Sequence, residues 1–271
     1  MRCVFNKRVL LVASDIDGTA LMSGNALSPE LIHEIQRLEQ EGVAFTFATG
    51  RLPYEMEMLY ENIPWKVPYV AANGAILKAR TGYCFRKTFV PNHLRSIAEK
   101  YADFGVTVIF SLPGFEHPLQ KTTWSKANEQ QFPGMDTCVD NTIWETEIDR
   151  MFFYHPDGLY LEECRHELED FASAYSIVFQ NRKSIQISAA GCTKGTGILA
   201  LSKAAGIPAP NILCVGDSDN DVDMFAIAGM RATVSNGTEE LKAMADYISE
   251  KPYGEGLTDI LRRIDHGFWT V

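Results

Sequence analysis

Two carboxylates open the chemistry of this chain. Asp15 and Asp17 stand two residues apart beside Gly18, and a tight turn brings such a pair onto one point. That suits a divalent cation, or a nucleophile beside an acid/base. An Asp-Gly pair also serves in ordinary β-turns, although a turn needs no second aspartate. A denser set follows at Gly216-Asp217-Ser218-Asp219-Asn220-Asp221. Its three aspartates repel one another unless a cation is near. An EF-hand loop is excluded, because Val222 and Ala228 stand where the loop requires glycine and glutamate. Between the two acidic sets lies Lys194, with Gly191, Gly195 and Gly197 around it. The spacing is not GxxxxGKS/T, so a nucleotide P-loop is rejected. A lysine opening a helix sits at the positive end of the dipole. It is either solvated there or has an anion to satisfy.

The elements that must position these residues are legible around them. Val9-Leu10-Leu11-Val12 precedes Asp15, and Ile212-Leu213-Cys214-Val215 precedes Asp217. Apolar runs this short, ended by a polar turn, read as strands buried on both faces of a parallel sheet. Open α/β sheets place ligands beyond the carboxyl ends of such strands. After the first strand, Ser28 reads as an N-cap and Pro29 as the first helical residue. Leu31, Ile32, Ile35 and Leu38 follow at helical spacing, and Gly42 marks the end. Residues 43–48 form the next strand, ending in Thr49-Gly50-Arg51, and strand–helix–strand implies a right-handed parallel unit. Thr49 thus reaches the same sheet edge as Asp15. Its hydroxyl and the Gly50 amide are suited to donate to a phosphate oxygen. A helix over 53–62 leads to a strand and to Asn73-Gly74, read as a turn pair, structural rather than ligand-contacting. Short strands at 232–235 and 247–249 and a C-terminal helix complete this part.

From about Arg80 the segments become shorter and more polar. Strands are expected at 83–89, 105–110, 150–154, 176–180 and 184–188, and helices at 91–103 and 158–173. This is the pattern of a second α/β layer with one sheet face in water. Residues 112–141, with Pro113, Pro118 and Pro133, read as a loop-rich segment. His93, His117, His155 and His166 fit no metal-ligand spacing. Arg182 and Lys183 fall in a tight turn between two strands.

Composition bounds the rest. A chain of 271 residues is long enough for two units. A net charge of −10, from 25 basic and 35 acidic residues, argues against nonspecific binding to nucleic acid or a membrane surface. It does not exclude a small anionic substrate held by a cation and backbone amides. The six cysteines include no CxxC, as expected of reduced thiols in a cytosolic protein. Asp15 and Asp17 interrupt the N-terminal apolar stretch too early for a signal peptide. No run approaches the ~18 apolar residues of a membrane span. A cytoplasmic protein is expected, its oligomeric state unreadable from sequence.

The segment DIDGT, residues 15–19, resembles the first motif, DxDGT, of the haloacid dehalogenase-like superfamily. Thr49-Gly50 resembles its second motif, Lys194 its third, and GDSDNDVDM, residues 216–224, its fourth, GDxxNDxxM. The VAANGA segment ending at Ala75 is similar to that of the Cof-like hydrolases within it. The resemblance implies a doubly wound parallel sheet, the core, over 1–80 and 188–271. An inserted α/β cap over 81–187 would decide substrate specificity. It implies a Mg²⁺-dependent phosphatase for a small phosphorylated metabolite, a sugar phosphate above all. Asp15 would become an aspartyl-phosphate, with Asp17 as acid/base. Mg²⁺ would be held by the Asp15 carboxylate, the Asp17 backbone carbonyl and Asp217, with Asp221 behind them. Lys194 would offset charge, and Thr49, Gly50 and Asn220 would bind the phosphate. Arg182 or Lys183 would contact substrate from a cap acting as a mobile lid. A phosphomutase and a noncatalytic phospho-ligand binder of the same superfamily stay open as alternatives.

Overall fold

A computed structural model describes residues 7–24, 26–60, 63, 66–180 and 182–270. Cys3 and the last two residues of the helix expected over 53–62 lie outside the described residues. The chain divides into two compact units, Met1–Phe85 with Thr193–Val271, and Arg86–Cys192.

In the first unit β1 (Leu11–Ser14) leads into α1 (Pro29–Gln40), β2 (Ala44–Phe47) and α2 (Pro53–Tyr60). The Ser28 hydroxyl accepts from the Leu31 N–H and caps α1, satisfying one of its orphan donors. β3 (Tyr69–Ala71), β4 (Ile76–Ala79) and β5 (Gly82–Arg86) follow as a small sheet. After the second unit come α3 (Lys194–Ala205), β6 (Ile212–Gly216), α4 (Val222–Ile227), β7 (Met230–Thr233), α5 (Glu239–Met244), β8 (Tyr247–Ile248) and α6 (Tyr253–Arg262).

The main sheet has the order β8-β7-β6-β1-β2, parallel throughout. β3 joins beside β2 through a parallel bridge from Ala48 to Val70. From β1 the chain winds one way through β2 to β3, and from β6 the other way through β7 to β8. The order therefore reverses between β1 and β6, the switch point where such sheets open a crevice for ligands. Leu11, Ala13, Ile212 and Cys214 pack in one cluster with Ile198, Leu201, Met224, Phe225 and Leu241. The alternate residues Val12 and Leu213 are equally buried, so the sheet is covered on both faces. That burial is why its strands are apolar at every position rather than at every second one.

The second unit is built on an antiparallel sheet of Tyr175–Gln180, Ser184–Ala189, Arg150–Tyr154, Thr107–Leu112 and Phe115–Pro118, in that spatial order. Helices Arg95–Asp103 and Leu161–Leu168 bury Ile97, Ala98, Tyr101, Leu161, Cys164 and Leu168. The sheet supplies Val108, Phe110, Met151, Phe153, Ile185 and Ile187 to its apolar face.

Four expectations are corrected here. The segment 112–141 is not merely loop: Phe115–Pro118 pairs with Thr107–Leu112 across a turn at Gly114, and Thr123–Ala127 is helical. Pro118 misled the sequence reading, because proline is tolerated on an edge strand. The opposite sheet face is not solvated either. Thr107, Ser111, Arg150 and Gln186 are buried on it. Thr107 bonds Thr122, and the Trp124 ring lies 4.8 Å from that of Tyr154, so the misread segment helps to cover this face. The helix expected from 158 starts at Leu161, after Tyr160 takes a left-handed φ of 63°. The strand expected over 83–89 stops at Arg86; as β5 it completes the β3-β4-β5 sheet, so the first unit runs past residue 80.

Candidate active site

Asp15 is the first residue past β1, and its N–H donates to the Val215 carbonyl of β6 (2.9 Å). It lies at the switch point and is 3% exposed. Lys194 opens α3, whose N-terminus is closed by a reciprocal pair between Thr193 and Thr196. The Lys194 Nζ donates to Asp15 Oδ1 and to Asp221 Oδ1, both at 2.6 Å. These are the anions that a lysine at the positive end of a helix calls for.

Asp217 follows β6, and its Oδ1 accepts from the Thr19 hydroxyl (2.8 Å). The backbone at Gly18, with φ of +100°, passes so close that a Cβ there would lie 2.2 Å from Asp217 Oδ2. Only glycine permits both that conformation and that approach. Asp221 Oδ2 accepts from the N–H groups of Asp217 (2.9 Å) and Ser218 (3.1 Å). Asp221 therefore ties the acidic turn to Lys194 and has both oxygens engaged.

Carboxylate oxygens of Asp15, Asp217 and Asp221 lie within 4.8 Å of one another. Burial pushes the Asp15 carboxyl well above the ordinary range, with Asp221 and Asp217 adding to the rise and Lys194 opposing it. Burial, with Asp221 beside it, lifts Asp217 to about 6. Burial pulls Lys194 down, and its two carboxylates more than offset that, so the ammonium stays charged. Lys194 alone does not balance three carboxylates. Among the described residues no hydrogen-bond donor reaches the buried Asp15 Oδ2. An all-oxygen donor set with excess negative charge and a buried oxygen lacking a donor fits a hard cation such as Mg²⁺. Asp15 and Asp217 are the residues with oxygens to offer it.

The Asp17 carboxylate stands apart from this cluster. It is half-exposed and gripped by Arg51, whose Nη2 and Nε reach its two oxygens at 2.5 and 2.8 Å. Arg51 also donates to the Gly24 carbonyl (3.0 Å). Thr49 is fully buried at the end of β2; its N–H donates to Val70 O (3.0 Å), and its hydroxyl accepts from the Arg51 N–H (3.1 Å). The Asn220 Oδ1 accepts from the Ser218 hydroxyl (2.7 Å), which fixes that amide.

The structure thus gathers Asp15, Lys194, Asp217 and Asp221 directly, with Thr49, Gly50 and Asn220 on the neighbouring strand-end turns. Arg182 and Lys183 belong to the other unit. Both are exposed in the turn before Ser184–Ala189, where Arg182 has φ of 55° and Lys183 O accepts from His155 N–H (3.1 Å). Sequence reasoning gave no role to Arg51 or Thr19. The signal for Arg51 was present, since an arginine directly after Thr49-Gly50 carries its charge to the same sheet edge.

Comparison with known proteins agrees with this geometry. Residues 12–261 match the family model of the haloacid dehalogenase-like hydrolases. A phosphoglycolate phosphatase of Methanosarcina acetivorans is 29% identical over 208 residues, covering 75% of this chain and 85% of its own. An HMP-PP phosphatase of Cronobacter sakazakii is 26% identical over 248 residues, covering 86% of each chain. The solved structure of the subclass IIB sugar phosphatase BT4131 superposes with a TM-score of 0.77 at 21% identity, covering 93% of this chain and 97% of that one. Among the described residues no helix is long and apolar enough to cross a membrane.

Proposed function

This chain belongs to the haloacid dehalogenase-like hydrolase family, and on that premise we propose that it is a Mg²⁺-dependent phosphatase of small phosphorylated metabolites, in the first instance sugar phosphates, working through an aspartyl-phosphate on Asp15. The observation that carries the reading is Asp15 itself. It is buried, held by Lys194 through one oxygen and, among the described residues, without a donor on the other. Lys194 orients this carboxylate for attack and opposes the upward push that burial gives its pKa.

The Asp15 carboxylate attacks phosphorus, the ester P–O bond breaks, and the departing alcohol oxygen takes a proton from Asp17. A water then attacks the same phosphorus while Asp17 takes its proton, releasing phosphate and restoring Asp15. Mg²⁺, when held by Asp15, Asp217 and the Asp17 carbonyl, supplies charge neutralisation of the phosphoryl group. Lys194 offsets charge on Asp15, and Asp221 keeps Lys194 in place. Thr49 accepts from Arg51 N–H and so has its hydroxyl proton to donate to a phosphate oxygen. The Gly50 amide and Asn220 serve the same oxygens. Arg51 orients the Asp17 carboxylate until substrate arrives. Discrimination among alcohols is assigned to the unit Arg86–Cys192, with Arg182 and Lys183 as its cationic contacts. The phosphatase names of the relatives and the sugar phosphatase of like fold support this substrate class.

Hydrolysis of p-nitrophenyl phosphate with Mg²⁺, and then with excess chelator, tests the reading. Activity is expected only with metal, and Asp15→Asn is expected to abolish it while the protein stays folded. Equal rates with and without chelator, or near-normal turnover by Asp15→Asn, would overturn it. Sugar phosphates isomerised rather than hydrolysed would favour the mutase alternative instead.

A further inference from the structure

The turn 72–74 after β3 holds a side chain that the fold leaves unpaid in hydrogen bonds. Asn73 is 1% exposed, yet neither its Oδ1 nor its Nδ2 has a hydrogen-bond partner among the described residues. A buried carboxamide in that state bears the desolvation penalty at both ends with nothing in return. The backbone does not explain it. Asn73 has φ of 48° and ψ of 46°, a left-handed conformation that asparagine tolerates and glycine adopts more easily. Glycine would meet the turn's demand without burying an unpaired amide. The carboxamide itself needs a reason.

Its place in the fold supplies one. β3 runs parallel to β2 through the Ala48–Val70 bridge, so residues just past β3 share the sheet edge with Thr49, Asp15 and Asp217. The attachment to Thr49 is direct. Thr49 N–H donates to Val70 O, Ala72 N–H to Arg51 O (2.8 Å), and Asn73 N–H to Thr49 O (2.9 Å). On the other side, a Cβ on Gly74 would lie 1.9 Å from Thr193 O, so the turn is seated against the cap of the helix that Lys194 opens. The backbone of the turn is therefore fixed between the segments that carry Thr49 and Lys194.

We propose that the Asn73 carboxamide contacts substrate in the site assigned above, Nδ2 donating to a phosphoryl or ester oxygen and Oδ1 accepting from a hydroxyl of the alcohol part. This rests on the phosphatase reading and narrows it. A phosphate dianion offers acceptors only, so it satisfies Nδ2 and leaves Oδ1 bare. A substrate that satisfies both ends carries a hydroxyl close to its phosphoester, as polyol and sugar phosphates do and a simple alkyl phosphate does not. Asn73 is then a selector for hydroxylated substrates in the first unit, in addition to the discrimination assigned to the unit Arg86–Cys192.

The test compares wild type with Asn73→Gly, which keeps the left-handed turn and removes only the side chain. With Mg²⁺ present, kcat/KM is measured for glycerol 1-phosphate and for n-propyl phosphate, and melting is followed with and without orthovanadate. The wild type is expected to prefer the glycerol ester. Asn73→Gly is expected to lose about 10- to 100-fold on that ester, the range of a hydrogen bond to a charged group, and to lose most of the preference. Its melting temperature without vanadate should equal or exceed that of wild type, and its vanadate-induced rise should be smaller. Unchanged rate and preference in Asn73→Gly would overturn the inference, as would a ligand-free destabilisation that accounts for the lost rate. Equal losses on the two esters would overturn the hydroxyl contact. Absence of turnover and of any vanadate effect in the wild type would instead defeat the phosphatase reading.

Discussion

Lys194 makes one cation serve two carboxylates, and removing it isolates charge in the interior. Lys194→Met would leave Asp15 and Asp221 buried without their common partner. Breaking a buried pair from one side costs about 3–5 kcal/mol, and a loss of that size is expected in urea unfolding without metal. Added Mg²⁺ should recover part of it, since the cation takes over some of the neutralisation. A variant as stable as wild type in metal-free buffer would contradict the account of the cluster. At this scale the sequence was informative wherever a polar or charged residue followed an apolar strand: Asp15, Thr49 and Asp217 stand just past β1, β2 and β6, where the turn has few ways to place them. It was silent where the partner is distant. That Thr19 meets Asp217, or that Arg51 takes Asp17, depends on strand order rather than on any local pattern. Asn73-Gly74 was rightly read as a turn, but the unpaired amide appears only once burial is known.

The helices α1 and α6 are joined through a side chain that no motif announces. Glu34 on α1 accepts from Arg37 on its own helix (2.8 Å) and from Arg262 on α6 (3.1 Å), while Arg37 also reaches the Leu261 carbonyl (3.0 Å). Burial pushes the Glu34 carboxyl up, and the hydrogen bonds and charges of Arg37 and Arg262 outweigh it, so it lies below its ordinary value. A carboxyl depressed on folding contributes stability that is complete above its unfolded pKa and disappears as pH falls through its folded pKa. The stability of wild type should therefore fall more steeply than that of Glu34→Gln between about pH 5 and pH 3. Parallel acid profiles of the two proteins would show that the bridge adds nothing. The helix itself was legible, because Ser28, Pro29 and the apolar spacing agree on where α1 starts and which face it buries. The Phe115–Pro118 strand was not, because its pairing with Thr107–Leu112 and its edge position are tertiary facts that override the proline.

The whole molecule has two cores in one chain. Phe153 is fully buried in the unit Arg86–Cys192, and a phenylalanine-to-alanine change in a core costs about 3–5 kcal/mol. Phe153→Ala is expected to lower one calorimetric transition and leave a second, belonging to the other unit, near its wild-type temperature. A single transition shifted as a whole would mean that the two units melt as one. The two-unit pattern was visible in the sequence as a change in segment length and polarity near Arg80, but the junction was not. β5 continues a sheet begun by β3, and no composition shift marks where its pairing ends. The split of the first unit has a further consequence, for the order in which the protein comes into being. The unit Arg86–Cys192 is contiguous, so during synthesis all its strands are present before Lys194 is made. The first unit cannot close then, because Asp15 must wait 179 residues for the lysine that neutralises it. Contacts between residues so far apart form late and slowly. β1 and β2 emerge as apolar strands whose neighbour β6 does not yet exist, and the nascent chain is most prone to aggregate in that interval. The acidic cluster is complete only once Asp221 has been made, so a ligand bound there reports that β1 and β6 have paired.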